Sequence, residues 1–564
     1  MLAGGFDMGA YHRYLNTDPF GFRECCEDTN YVDKTGLIGY VNQCVGRKGK
    51  LLLVSRPRRF GKTYAAQMLQ AYYTIGYDTE SLFKDRVIHR MDPELTNRGA
   101  FDVIYIDMIR VRGFARSEQA ILDDKAKKEG KKPEQLDWID YLSDSIIREL
   151  GDAYGEDVIS EKSLVQTLIN TVQKNGRKIV WICDEWDNFF REPTEDPNAQ
   201  RNYIELIRGL FKSPQTTSVV FAAAYMTGIL PMIRMKGESA LTEFDNYTMF
   251  APGELAPFIG FTEEEVRDLL VRNPKCSITY DEMADWYEGY SFLGVGPLFN
   301  PKSVTDAIKF NKCMTFWTDT GSNEQFKEMV SIRRDTLRTD VERLLRGEGV
   351  FVDTDSFDND LRTLPAADGD GDSATLAAMV HLGYLSFDQD TDCARIPNNE
   401  IRSKFVNMLR DSTFPAIYKK IAAADQILKD TLRRDEQKIA EALREIHQQY
   451  TDPKAYNSEA TLKETVDLAY YTAERFYTRM YEIPSGEGYA DMVLYPKAEA
   501  AYPLMMIELK KNSAVETGMK QIRERRYPAR FKDYGGRELL LVSVSYDADK
   551  LEKEHHCKIE SAML

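Results

Sequence analysis

Two small sets of residues in this 564-residue chain have the types and spacing to act on phosphates. The first is Gly61-Lys62-Thr63 with, further along, Asp184-Glu185. A Lys after a glycine turn puts a cation on β/γ-phosphate oxygens. A Thr hydroxyl ligates Mg²⁺, and backbone N–H groups at a helix start face the anion. Asp184 would share that Mg²⁺, and Glu185 would orient or deprotonate the attacking water. The second set is Asp491, Glu508 and Lys510. Two carboxylates hold Mg²⁺ or Mn²⁺ through oxygen. Such a metal lowers the pKa of a bound water and stabilises charge on a phosphodiester. A Lys beside it positions that water or neutralises the developing charge.

These residues need elements to hold them. Leu51–Val54 is an apolar run that reads as a buried parallel strand, and Tyr64–Tyr73 has helical spacing. The common phosphate-loop pattern asks for Gly where Arg56 stands, so a plain turn at a helix start is the alternative. Lys178–Cys183 is a second apolar strand, and the acidic pair follows its carboxyl end, where open α/β sheets place their ligands. Phe101–Asp107 and Ser218–Ala224 read as further strands. Thr227, beyond the second of these, is a candidate γ-phosphate sensor, with a helix cap as the alternative. A charged stretch around Glu118–Glu134 reads as a solvated helical element, and Thr262 with Glu265 as a capping box.

The C-terminal region reads as a long helix Glu459–Met480, strands Ala490–Tyr495 and Leu504–Lys510, a helix and a strand. A hairpin centred between Glu499 and Ala500 would set Asp491 opposite Glu508, and alternation puts Glu508 and Lys510 on one face. The helix after it carries Gln521, Arg523, Arg525, Arg526 and Tyr527, with Arg530 and Lys532 beyond. Gln521 would reach the scissile region and the basic residues phosphates; a solvated basic face is the alternative. Glu459 is a candidate further acid or a surface residue.

Arg56-Pro57-Arg58-Arg59-Phe60-Gly61-Lys62-Thr63 resembles the nucleotide loop of a bacterial AAA-ATPase-like family, whose members also carry a segment like Tyr31-Val32-Asp33-Lys34-Thr35. Trp286–Tyr290 and Phe299–Val304 resemble further blocks of that family. Gly488–Asp491 with Ile507–Lys510 resembles the PD-(D/E)XK nuclease domain that members often carry. The resemblance implies an α/β architecture in three parts. Residues 1–257 would form an AAA-like P-loop ATPase sheet with an N-terminal arm, and 258–455 a helical connecting region. Residues 456–564 would form a restriction-endonuclease-like domain. It implies ATP, with the whole loop from Arg56 to Thr63 around it, and a DNA substrate. It also points to defence or mobile-element biology. A nuclease fused to an ATPase endangers its host if always active, so the expectation is that nucleotide state controls access to the nuclease cleft.

Composition sets bounds. The net charge of −16 argues against a surface that coats nucleic acid broadly. Residues 456–564 hold 16 Lys and Arg against 18 Asp and Glu, so most of the acidity lies upstream. Eight Cys without a Cys-x-x-Cys motif read as reduced thiols, and six scattered His give no zinc spacing. No basic region followed by an apolar stretch opens the chain, and no apolar run has the length of a membrane helix; the expectation is a cytoplasmic protein without membrane partners. Asp368–Asp372 invites a calcium-loop reading, but Ser373 and Met379 stand where that loop needs Gly and Glu. The reading is an ATP-hydrolysing protein coupled to a metal-dependent DNA endonuclease, compatible with homo-oligomerisation. The alternatives are an ATP-driven switch whose nuclease-like domain binds without cutting, and an RNA-directed nuclease.

Overall fold

The computed structural model describes residues 12–161, 163–191, 198–232, 243–292, 294–317, 335–356, 371–411, 415–450, 459–485, 488–497, 502–524, 538–547 and 554–563. The chain forms two compact units: residues 1–319 with 351–401, and residues 320–350 with 402–564. Residues after 257 are bonded into the first unit. Lys34 Nζ reaches Glu265 at 2.5 Å, Phe261 and Phe299 exchange backbone hydrogen bonds, and the Tyr290 hydroxyl donates to the Gly383 carbonyl at 2.7 Å.

The first unit is built on a five-stranded, all-parallel sheet. Its strands are β1 (Leu51–Ser55), β2 (Asp102–Asp107), β3 (Ile179–Asp184), β4 (Phe221–Gly228) and β5 (Asp245–Tyr247), in spatial order β2-β3-β4-β1-β5. β1, β3 and β4 are buried throughout, which is why they read as unbroken apolar runs. Strand β4 lies between β1 and β3. Its register pairs Gly228 with Ser55 on one side and Thr227 with Asp184 on the other, while Asp107 pairs with Asp184 from β2. The carboxyl ends of four strands thus meet at one edge.

The strand expected over Ser218–Ala224 begins later. Pro214–Val220 is a helix, because the Ser213 side chain accepts from the Thr216 N–H and Pro214 occupies the first turn. The charged insertion is the helix Met108–Glu129, largely exposed. The Thr262/Glu265 capping box is present. Tyr287, Phe299 and Phe316 share a core, so the Trp-Tyr and Asn-Pro blocks serve packing.

The second unit holds a five-stranded mixed sheet: β6 (Tyr477–Ser485), β7 (Gly488–Pro496), β8 (Leu504–Lys511), β9 (Glu538–Tyr546) and β10 (His555–Met563), in that spatial order. The expected long helix Glu459–Met480 is a correction: the helix stops at Ala469, a 3₁₀ turn follows, and Tyr477–Ser485 pairs as a strand with β7. β10 is likewise an addition to the expected order. One face of the sheet packs Met492, Leu494, Met505 and Ile507 against helices that carry Ile427, Ile439 and Leu443. The other face packs Val493, Met506 and Leu541 under the helix Val515–Glu524, through Met519 and Ile522. Gly518 lets that helix lie close, since a Cβ there would stand 2.1 Å from Ser543 Oγ. All eight cysteines are free. Among the described residues no helix is long and apolar enough to cross a membrane.

Candidate active sites

The first site forms where β1 turns into the helix Lys62–Tyr73. Gly61, at φ +91, is the left-handed residue that lets the chain enter that helix. The loop side chains diverge. Arg56 is fully buried and donates from Nη1 to the carbonyls of Ser55, Tyr247 and Thr248, at 2.8, 3.2 and 3.1 Å. Burial pushes its guanidinium down to about 10, the Tyr225 phenol pulling the other way. Arg56 therefore braces the loop against the sheet. Pro57 packs beside Gly383 and offers its carbonyl to Lys62 Nζ at 3.0 Å. Arg59 bonds the Phe316 carbonyl at 2.6 Å, and Phe60 is buried edge-on against Tyr290. Arg58, Gly61, Lys62, Thr63 and Glu185 line one cleft of about 390 Å³. Apolar walls for a base or ring come from Phe22, Tyr31, Met68 and Phe261.

The acids face this loop across β4. Burial, with Glu185 alongside, pushes the Asp184 carboxyl up to about 7, against the Thr63 hydroxyl and Lys62. Burial also raises Glu185, but Lys62, Arg191 and Arg58 outweigh it and hold that carboxyl below its usual range. Lys62 is lowered by burial, in spite of Glu185, Asp184 and Asp187. Burial is the larger cause of that rise, so a divalent cation bound there would favour the charged carboxylate that desolvation disfavours. The residues fit Mg²⁺ held through the Thr63 hydroxyl, the Asp184 carboxylate and phosphate oxygens. Among the described residues no group of three or more His, Cys, Asp or Glu forms a metal cage. Mg²⁺ needs only one or two carboxylates when the substrate supplies the rest. Thr227 is fully buried beside Asp184, at a strand end and not a helix cap.

Two neighbours of the site, Asp107 and Arg191, escape a sequence reading, and Lys34 is in view only as part of the Tyr31–Thr35 segment. Asp107 ends β2 next to Asp184 as Asp184 ends β3; a strand closing in Asp was the available signal. Lys34 lines the cleft from the arm, held by Glu265 and the Pro257 carbonyl. Arg191 reaches Glu185 from the helix Asn188–Arg191. In the same arm, Asp33 and Thr35 accept from the N–H groups of Val87 and Ile88, so they cap the helix Val87–Met91.

The second site lies on the two neighbouring inner strands β7 and β8 of the second sheet. The β7–β8 ladder pairs Met492 with Ile507 and Val493 with Met506, so one step further Asp491 stands opposite Glu508, as the hairpin arithmetic expects. Asp491 Oδ2 accepts from the Leu509 N–H at 2.7 Å. Glu508 is 1% exposed, and its Oε1 accepts from Lys510 Nζ at 2.8 Å and from the Gln521 amide. Asp491, Glu508, Lys510 and Gln521 therefore come together, with two carboxylates available for a divalent cation. Ser543 and Ser545 of β9 are paired beside Glu508 and Lys510. Arg523 pairs with Glu560. Arg525, Arg526, Tyr527, Arg530 and Lys532, and the side chain of Glu459, lie outside the described residues, as does most of the stretch around Asp368.

Comparison with known proteins agrees with this division. Residues 22–236 match the model of a family described as a predicted AAA-ATPase. Residues 459–556 match the model of the PD-(D/E)XK nuclease superfamily. Both are matches to enzyme families, of kinds that use a nucleotide and a divalent metal. No curated protein matches the chain. Among solved structures, the Walker-type ATPase PABY2304 of Pyrococcus abyssi is similar at 12% identity, over 66% of this chain and 94% of that chain, with a TM-score of 0.29.

Proposed function

We propose that the chain binds and hydrolyses ATP at the first site and cleaves DNA in a Mg²⁺- or Mn²⁺-dependent reaction at the second. The observation that carries the ATPase half is the meeting of Lys62 and Thr63 with Asp184, Glu185 and Thr227 at one sheet edge. Lys62 places a cation on the β/γ-phosphates, Thr63 and Asp184 hold the metal, Glu185 takes the proton of the attacking water, and Thr227 senses the γ-phosphate. Arg58, Arg59 and Phe60 line the cleft, while Arg56 and Pro57 hold the loop in shape.

For the nuclease half, Asp491 and Glu508 supply oxygen ligands, Lys510 positions the attacking water or neutralises developing charge, and Gln521 orients Glu508. The metal's contribution, when bound, is to acidify that water and neutralise phosphate charge. A cytoplasmic setting and a role in defence or against mobile elements fit this pairing, as does a three-part functional division at 257 and 455.

The test is a pair of assays on the full chain. Glu185→Gln should keep ATP binding and lose hydrolysis by about 10²- to 10⁴-fold, the usual worth of a general base. Asp491→Asn should abolish cleavage of DNA in Mg²⁺ or Mn²⁺ and leave ATP hydrolysis intact. Normal hydrolysis by the first variant, or persistent cleavage by the second, removes the corresponding half. RNA offered in parallel separates the two nucleic acids.

A further inference from the structure

Glu185 sits on a backbone of φ +54, a left-handed conformation that few residues other than glycine adopt without support. Its carboxylate is held by Arg191. That guanidinium is almost wholly enclosed, with 3% of the side chain exposed, and it spans two acids. Nη2 donates to Glu185 Oε2, and Nε donates to Asp187 Oδ2 at 2.8 Å. The same Asp187 oxygen accepts from the backbone N–H groups of Ile229 and Leu230, at 3.1 and 2.8 Å. Those residues directly follow Thr227-Gly228 at the end of β4.

Trp186 fixes the same segment twice. Its N–H donates to the Thr227 carbonyl at 3.0 Å, and its indole Nε1 donates to the Leu230 carbonyl at 3.1 Å. Gly228 leaves no slack between them, since a Cβ there would stand 2.5 Å from Asp187 Oδ1 and 2.6 Å from Trp186 Cδ1. The turn carrying Glu185 and the strand end carrying Thr227 are therefore one hydrogen-bonded piece, and Arg191 joins the Glu185 carboxylate to it.

We propose that Arg191 is a positioning residue for ATP hydrolysis: it aims the Glu185 carboxylate from the Thr227–Leu230 segment, so that the water-activating group follows the strand end that faces the γ-phosphate. This rests on the reading of the first site as an ATPase. Arg191 touches no reacting atom. Its work is to keep Glu185 within the small tolerance that an in-line attack requires, where a displacement of about 1 Å costs on the order of 10²-fold in rate.

The test measures kcat, KM and affinity for a non-hydrolysable ATP analogue in the full chain. Arg191→Met should lower kcat by roughly 10²-fold and leave analogue affinity within about twofold. Arg191→Lys should fall between, because one ammonium does not span two carboxylates as the planar fork does. In a Glu185→Gln background, Arg191→Met should cost nothing further, since it acts only through that carboxylate; a merely structural role would give additive losses. If Arg191→Met does not fold, Arg191→Met with Asp187→Asn removes both charges, keeps an acceptor for Ile229 and Leu230, and is judged by the same outcomes. A wild-type kcat in the Arg191 variant, a parallel loss of rate and affinity, or additivity with Glu185→Gln each overturns the proposal. If Glu185→Gln itself turns over normally, the glutamate's assignment fails and Arg191 has nothing to aim. A dead Glu185→Gln beside an active Arg191→Met overturns the positioning role alone.

Discussion

Lys62 and His381 show what burial does to single charges. Lys62 is 4% exposed and its ammonium rests on the Pro57 carbonyl at 3.0 Å, a contact that phosphate oxygens would replace. Removing it by Lys62→Ala deletes charge-assisted hydrogen bonds worth about 1.5–3 kcal/mol each. ATP affinity measured by calorimetry should therefore fall by at least about tenfold per lost bond. His381 is fully buried, edge-on to Phe250. Burial pushes its imidazole down to about 3. The sign follows from linkage. The folded state prefers neutral imidazole, while an unfolded His binds a proton below about pH 6.5. Stability from this group is therefore intact above about pH 6.5 and declines by about 1.4 kcal/mol per unit as the pH falls toward 3. Urea midpoints at pH 7.5, 6.0 and 5.0 should fall less steeply in His381→Leu than in the parent chain.

At the scale of elements, close packing makes the second site depend on a residue with no chemistry of its own. Gly518→Ala pushes a methyl group at Ser543 Oγ and lifts the helix Val515–Glu524 from β9. Gln521 rides on that helix, so DNA cleavage should drop by tenfold or more on the scale of positional errors of about 1 Å, with ATP hydrolysis unchanged. Such packing is invisible in a sequence, whereas the strands were not. β1, β3 and β8 are buried on both faces, and burial wrote them as apolar runs. The hairpin register followed from counting, because a one-residue slip would turn Asp491 away from Glu508. Misreadings came where local signals compete. Val219 and Val220 are β-branched, yet Ser213-Pro214 starts a helix that carries through them. Tyr477–Met480 continued an aromatic-rich helical pattern, and only pairing with β7 makes these residues part of a strand. Arg191 lay in view at i+4 from Asp187, but its hold on Glu185 crosses a left-handed turn that no periodicity reports.

For the whole molecule, the decisive fact is that each compact unit is assembled from two separated stretches. Within the second unit, Arg346 lies over the Tyr471 ring at 5.0 Å, and Gly347 abuts Arg475, where a Cβ would stand 3.1 Å from its Cα. Helices bearing Ile427, Ile439, Leu443 and Ile446 cover one sheet face. A fragment 456–564 lacks all of these, and removing several fully buried aliphatic side chains costs about 2–5 kcal/mol each. It should bind hydrophobic dyes and lack a cooperative melt, while a fragment from 402 should regain one, more sharply with 320–350 supplied in trans. A cooperative transition in the short fragment would show that the sheet stands without its helical cover.

The interleaving also orders events on the ribosome. Synthesis is vectorial, at about 5–20 residues per second, and domains fold as their parts emerge. The first unit has all its stretches by residue 401, so the phosphate loop and its acids can assemble early. The helix Asp335–Arg346 must wait for Tyr471, over whose ring Arg346 lies, and β9 waits for β10, residues 555–563. The nascent chain thus acquires the cleft lined by Lys62 and Glu185 well before the sheet that carries Asp491 and Glu508 is whole. On the proposed reading, a cell translating this message meets the nuclease only after the ATPase is in place.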